Sequence, residues 1–299
     1  MCKKTEKFLL LTLFLILTAL TAIGSFFDYE IANAVYIGQT PGENFFGILF
    51  AFIGIIPTFV GWSFLGASIL YLSSRVDSLN KKRWLIALSV LLFILSFFYF
   101  CNTLMMVNSN AFSVHWAIAY PIGIIIIFLA AWLGYKLSEK STNENLLKTV
   151  LTLTLISVVT MIIIMSIKEI MDRPRFRFVL ESGEAAYFKN WWQSGSEIKA
   201  SLASGALSDE FSSFPSGHSA YSMFAVFLFP AFADYVPKLK KYRSILFVFG
   251  FLWWTLTAFS RMTVGAHYLT DVSVAAIVTL IGYTVTVLLK NIILRRIKK

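Results

Sequence analysis

The run TVLTLTLISVVTMIIIMSIKEIMDRPRFRF, Thr149–Phe178, decides how this chain is folded. Its first nineteen residues, through Ile167, carry no charge. A helix needs about 20 predominantly apolar residues to cross the hydrocarbon core of a bilayer. The apolar run stops abruptly, and Lys168, Arg173, Arg175 and Arg177 follow within ten residues. A membrane span that ends in a knot of cations has two things to explain: where the other spans lie, and why the charge collects here.

Runs of the same kind are marked at about 8–27, 45–73, 84–106, 117–135, 218–236, 244–260 and 272–289. With 58% hydrophobic and 14% charged residues and a mean hydropathy of +0.73, the composition lies outside the range of soluble domains. The expected fold is an all-α, polytopic membrane helix bundle of about eight spans. The first run, between MCKKTEK and TAIGS, also carries marks of a signal peptide, but its apolar stretch is long for one, and we take it as a retained span.

A net charge of +10 raises the question of a nucleic-acid partner, which the distribution of charge answers. Nineteen of the 26 lysines and arginines fall on one side of an eight-span layout. They cluster at Lys3–Lys7, Arg75–Arg83, Lys136–Lys148, Lys238–Arg243 and Lys290–Lys299. That is the positive-inside pattern, so both termini are expected in the cytoplasm of a multi-pass cell-membrane protein, with no nucleic acid implied. The remaining seven, Lys168, Arg173, Arg175, Arg177, Lys189, Lys199 and Arg261, fall on the outer side. The other two outer loops contain no Lys or Arg, so positive charge on that face has a local cause.

Three outer segments supply one. In KEIMDRPRFRF, Lys168–Phe178, four cations sit on the side that disfavours them; snorkelling at a helix end explains one or two, and a bound anion explains all four. Guanidinium forks and an ammonium suit phosphate oxygens. In FPSGHSA, Phe214–Ala220, a helix opening at Ser216 and Gly217 would aim free N–H groups outward, with His218 on its first turn, although the same residues also make an ordinary helix start. In SRMTVGAHYLTDV, Ser260–Val272, His267 and Asp271 lie four apart and share a helix face. The carboxylate is expected to take the ring proton and leave the other nitrogen free to attack. Arg261 is expected to fold back past Gly265 toward the same point.

The rest of the chain adds little chemistry. Cys2 and Cys101 have neither metal spacing nor an evident pairing, and His115, without an acidic neighbour, is given no role. No internal repeat or low-complexity tract is present. The aromatics of YFKNWWQ, Tyr187–Gln193, are expected at the headgroup level of the membrane.

Together the three segments resemble the signatures of the type 2 phosphatidic acid phosphatase superfamily: K-x6-R-P, P-S-G-H and S-R-x5-H-x3-D. Lys168 and Arg175 fit the first, Pro215–His218 match the second, and Ser260, Arg261, His267 and Asp271 match the third. Phe176 stands where the pattern has proline, and Arg173, in the Arg173–Pro174 pair two residues earlier, remains a candidate additional ligand. The resemblance implies a six-helix phosphatase core over residues 81–299, with an external loop at 176–214 and two accessory spans in 1–80. It implies His267 as nucleophile, Asp271 as its partner and His218 as acid. Lys168, Arg175, Ser216, Gly217 and Arg261 would bind phosphate. No metal or other cofactor is implied, and vanadate is an expected inhibitor.

The implied activity is hydrolysis of a lipid phosphate at the outer membrane face through a phosphohistidine. Phosphatidate, phosphatidylglycerol phosphate and polyprenyl diphosphate are the candidate substrates. A phosphotransferase using the same intermediate is the alternative. A transporter or structural membrane protein is a more distant one, since it accounts for the spans but not for the reactive residues.

Overall fold

The computed structural model describes residues 3–106, 116–141, 146–202 and 208–297. The chain is helical throughout most of these segments, and seven helices are long and apolar enough to cross a membrane. It is a polytopic helix bundle. In chain order the helices are α1 (Lys3–Val35), α2 (Phe45–Ile53), α3 (Ile56–Ser73), α4 (Leu79–Met106), α5 (Trp116–Lys140), α6 (Leu146–Met171), α7 (Phe176–Ser182), α8 (Ser196–Ser201), α9 (Gly217–Met223), α10 (Ala225–Tyr235), α11 (Arg243–Thr263) and α12 (Leu269–Ile297).

Seven rather than eight qualify, the missing one being the run at 218–236. It forms α9 and α10, which meet at Phe224 with helical backbone angles (φ −58°, ψ −29°). The first run, in turn, is longer than its hydropathy suggested: α1 continues to Val35, with a non-helical break at Phe27 (φ −129°, ψ 21°). The external loop is partly built, with α7, α8 and two 3-10 turns at Ala185–Tyr187 and Ser208–Phe211.

α3 is the most buried of the long helices, packed against α4, α5 and α6. Lipid tails are as apolar as leucine, so helices in a bilayer associate through close packing and interhelical hydrogen bonds. Both are visible here. Ser63 donates to the Ile127 carbonyl of α5 at 2.9 Å, Ser89 of α4 to the Gly66 carbonyl at 2.7 Å, and Ser96 to the Phe59 carbonyl at 2.7 Å. The indole of Trp62, fully buried, donates to Ser157 on α6 at 2.7 Å. Large apolar side chains such as Ile94, Phe98, Ile124 and Phe128 are left facing outward, where lipid would lie.

On the other side of the bundle α1 lies along α12, and α11 contacts α2, α9 and α10. The ends of α1, α6 and α11 and the starts of α2, α9 and α12 therefore gather at one end of the molecule. The three signature segments are at those ends.

Candidate active site

The nucleophile candidate is placed by a turn. At the end of α11, Gly265 adopts left-handed φ (+65°) and its N–H returns to the Met262 carbonyl at 2.9 Å. The next two amides, of Ala266 and His267, both donate to the Arg261 carbonyl, at 3.0 and 3.2 Å. Arg261 and His267 are thus brought back to back, as their spacing suggested. A Cβ at Gly265 would lie 2.9 Å from the Tyr36 ring and 3.0 Å from Arg177 Cβ, so both the angle and the space call for glycine.

His267 departs from expectation in its nearest partner. Its Nδ1 lies 2.7 Å from the Ser213 carbonyl and 3.7 Å from Asp271 Oδ2, so the ring proton goes to the loop carbonyl and the carboxylate stands one step further off. The four-residue spacing does put both side chains on one face. However, Asp271 is occupied by the start of α12, where its Oδ2 accepts from the Tyr268 amide at 2.8 Å and from the Ser213 hydroxyl at 2.5 Å. Either way Nδ1 holds the proton and Nε2 keeps its lone pair. Burial pushes the imidazole down to about 3; Asp271 opposes that shift, and the Lys168 and Arg175 charges add to it. The ring is therefore neutral, and its lone pair available, across the physiological range.

The cations converge. Lys168, at the end of α6, donates to the Ser212 carbonyl, and its charge is felt by those of Arg175 and Arg261. Arg175 donates to the Asp209 carbonyl at 2.8 Å and to its carboxylate at 2.6 Å, while Arg177 pairs with Glu210 at 2.5 Å. Burial pushes the Asp209 carboxyl up, but Arg175 and Arg177 outweigh it and hold it below its ordinary value. Arg261 differs from the rest. It is 4% exposed, its Nε has no hydrogen-bond partner, and no carboxylate of the described residues pairs with it. An unpaired buried guanidinium is costly, and an incoming anion relieves the cost.

His218 stands on the first turn of α9, close enough to feel the charges of Arg261, His267 and Arg175. Its Nε2 lies 3.1 Å from the Ala51 carbonyl of α2. Ser216 does not offer the amide foreseen for phosphate: its N–H donates to the Asp271 carbonyl at 3.0 Å, and its hydroxyl accepts from the Ser219 amide at 3.2 Å. It caps α9 and ties that helix to α12. Among the described residues the amides of Gly217 and His218 remain without backbone acceptors. At Gly217 an added Cβ would make ordinary van der Waals contact with Tyr221 and Lys168, at 3.8 and 3.9 Å. Among the described residues no three His, Cys, Asp or Glu side chains are grouped to hold a metal ion.

The family model of the PAP2 superfamily matches residues 146–298, slightly more than half of the chain. The chain belongs to the PAP2 superfamily. No curated protein and no solved structure gives a match. The matched segment contains every superfamily signature residue named above, from Lys168 to Asp271, and PAP2 membership together with the apolar helices supports a membrane phosphatase type of function.

Several residues of this PAP2 site were not apparent in its sequence. Arg173, a candidate phosphate ligand, is fully buried and committed to other partners. Its Nη1 donates to Asp271 Oδ1 at 2.5 Å, its Nη2 to Asp28 Oδ2 at 2.9 Å and its Nε to the Lys189 carbonyl at 2.8 Å. Ser213, Asp28, Asp209, Glu210 and the Ala51 carbonyl belong to no signature, and no local pattern marks them. The YFKNWWQ aromatics pack largely on the protein itself. Tyr187 stacks on Phe178, Phe188 packs on Tyr29 and Tyr268, and Trp191 donates to Ser25 at 2.9 Å, which leaves Trp192 as the outward member. His115 and Cys2 lie outside the described residues; Cys101 is buried and unpaired by disulfide.

Proposed function

We propose that the protein is an integral membrane lipid phosphate phosphatase that hydrolyses a phosphomonoester or diphosphate headgroup at the outer membrane face through a phosphohistidine. The reading is carried by Arg261: a buried, unpaired guanidinium beside two imidazoles is the feature that a bound phosphate explains. Lys168, Arg175 and Arg261 hold the nonbridging oxygens as charge grows on them in the transition state, with the Gly217 and His218 amides facing the same space.

His267 Nε2 attacks phosphorus in line with the leaving oxygen, whose bond to phosphorus breaks as the N–P bond forms. The Ser213 carbonyl keeps the Nδ1 proton in place, and Asp271 offsets the positive charge that the ring acquires. His218 gives the Nδ1 proton to the leaving oxygen while its Nε2–H stays on the Ala51 carbonyl; this requires the imidazolium, which burial, Arg261 and Arg175 disfavour and the bound phosphate's negative charge favours. Water then attacks the phosphohistidine, His218 takes a proton from it, and free phosphate departs. A tail that remains in the bilayer suits a site at the end of the helices, and the charge distribution favours the outer face.

The test is phosphate release from purified lipid phosphates in detergent, with and without EDTA, beside His267→Ala. The expected result is activity that survives EDTA, is inhibited by vanadate and disappears in the variant. Near wild-type turnover in His267→Ala refutes the nucleophile, and loss with EDTA restored by magnesium refutes the cationic clamp. Release of free phosphate, rather than a newly phosphorylated acceptor, separates hydrolysis from transfer.

A further inference from the structure

Asp28 lies outside the matched segment, in α1, directly after the break at Phe27. An ionisable residue at membrane depth calls for a named partner. Asp28 is 3% exposed and has two. Its Oδ1 accepts from the Thr270 amide at 3.0 Å, and its Oδ2 from Arg173 Nη2 at 2.9 Å and from the Thr270 hydroxyl. The approach is close: a Cβ at Gly24, one turn earlier, would lie 2.8 Å from both Asp28 Oδ1 and Thr270 Cγ2. Arg173 carries the link onward. Its other terminal nitrogen donates to Asp271 Oδ1 at 2.5 Å, and its plane lies over the Tyr268 ring at 4.1 Å. Asp271 Oδ2 stands 3.7 Å from His267 Nδ1. One guanidinium thus bridges two carboxylates, one of which faces the nucleophile candidate.

We infer that Asp28 is a positioning residue for His267, acting through Arg173 and Asp271. The inference rests on the phosphohistidine reading above. When His267 attacks, its ring becomes positively charged, and a carboxylate nearby favours that change. Asp271 alone is poorly placed to help, because the guanidinium 2.5 Å away cancels most of its field. With Asp28 on the opposite edge of the guanidinium the trio keeps one net negative charge. Without it the trio is neutral, and Asp209 is the carboxylate left to oppose Lys168 and Arg175 at the ring. Interior charges are weakly screened, so the difference is felt at the ring. The planar fork of arginine is also what allows two carboxylates to be held at fixed angles.

The alternative is that Asp28 merely fastens α1 to α12, and the experiment separates the two. Full-length wild type and Asp28→Asn are purified in detergent; the asparagine keeps an acceptor for the Thr270 amide and nearly the same shape, removes the charge, and puts an amide NH2 where Oδ2 accepted from Arg173 and the Thr270 hydroxyl. With p-nitrophenyl phosphate as probe, rapid mixing gives a burst whose amplitude counts competent sites and whose rate constant reports attack. The expected result is an unchanged amplitude, a burst rate constant lower by about tenfold or more, the scale found for carboxylates standing behind metal-bound histidines, and inhibition by vanadate as tight as in wild type or tighter. An unchanged rate constant overturns the inference. So does a fall in amplitude and vanadate affinity together, which is the mark of a fastening role. A second arm needs no turnover: with only three histidines in the chain, the ring nitrogen resonances of His267 are identified by their loss in His267→Ala. They are expected to move in Asp28→Asn while those of His218 stay. Movement of neither, or broadening of both, overturns the inference. If wild type forms no phosphoenzyme, the phosphatase reading fails, and the His267 resonances still decide for or against Asp28.

Discussion

Among individual residues, Arg261 shows most clearly how stability and activity pull apart. A buried charge without a partner costs about 3–5 kcal/mol where it has been tested by removing one member of a pair. Arg261 sits in that condition, with its neighbours Lys168 and Arg175 adding repulsion. Replacing it with an uncharged side chain of similar length removes the penalty along with the phosphate ligand. Arg261→Gln should therefore melt in detergent at the wild-type temperature or above it, while kcat/KM falls about a hundredfold or more. A melting temperature that drops with activity would show that the arginine is structural. Its counterpart is Arg173, equally buried but with two carboxylates on it; it illustrates that two arginines two residues apart, Arg173 and Arg175, can take separate sets of partners across the irregular link at 172–175.

The elements that carry the site are joined by short, committed connections. Only residues 264–268 separate α11 from α12, and this turn delivers His267 beside Arg261 because Gly265 reverses the chain. Gly265→Ala forces a side chain into a left-handed angle and against Tyr36 and Arg177, so it should destabilise by more than about 1 kcal/mol. Differential scanning of the purified protein measures the loss; an unchanged melting curve would mean that the turn relaxes elsewhere. The hydropathy pattern made the long helices legible, since each must present about 20 apolar residues to lipid. It did not make the extension of α1 past Phe27 legible, because a local change of backbone angle leaves the apolar content of the run unchanged.

For the whole molecule, the gathering of α1, α2, α6, α9, α11 and α12 ends at one pole makes sidedness the decisive question. The charge distribution argues for that pole outside. On a background with Cys2 and Cys101 replaced by serine, Trp192→Cys is expected to react with a membrane-impermeant maleimide in intact cells, and Lys240→Cys only after lysis. The reverse labelling would put the site in the cytoplasm. Both positions are exposed, so lack of access does not confuse the result. The packing also gives the first two spans a place: α1 lies along α12, and α2 offers the Ala51 carbonyl to His218.

By itself, the sequence determined that this is a bundle of apolar helices and that one pole collects cations, two histidines and an aspartate. Both follow from local properties, the length of an apolar run and the spacing of residues on a helix or around a glycine. Tertiary structure alone decided which groups face His267: that Ser213, and not Asp271, takes its ring proton, that Ser216 is consumed as a cap, and that a carboxylate from α1, 242 residues before the threonine it binds, completes the charge around Arg173. Partners across such separations are chosen by how helices pack, and no spacing rule along the chain encodes that.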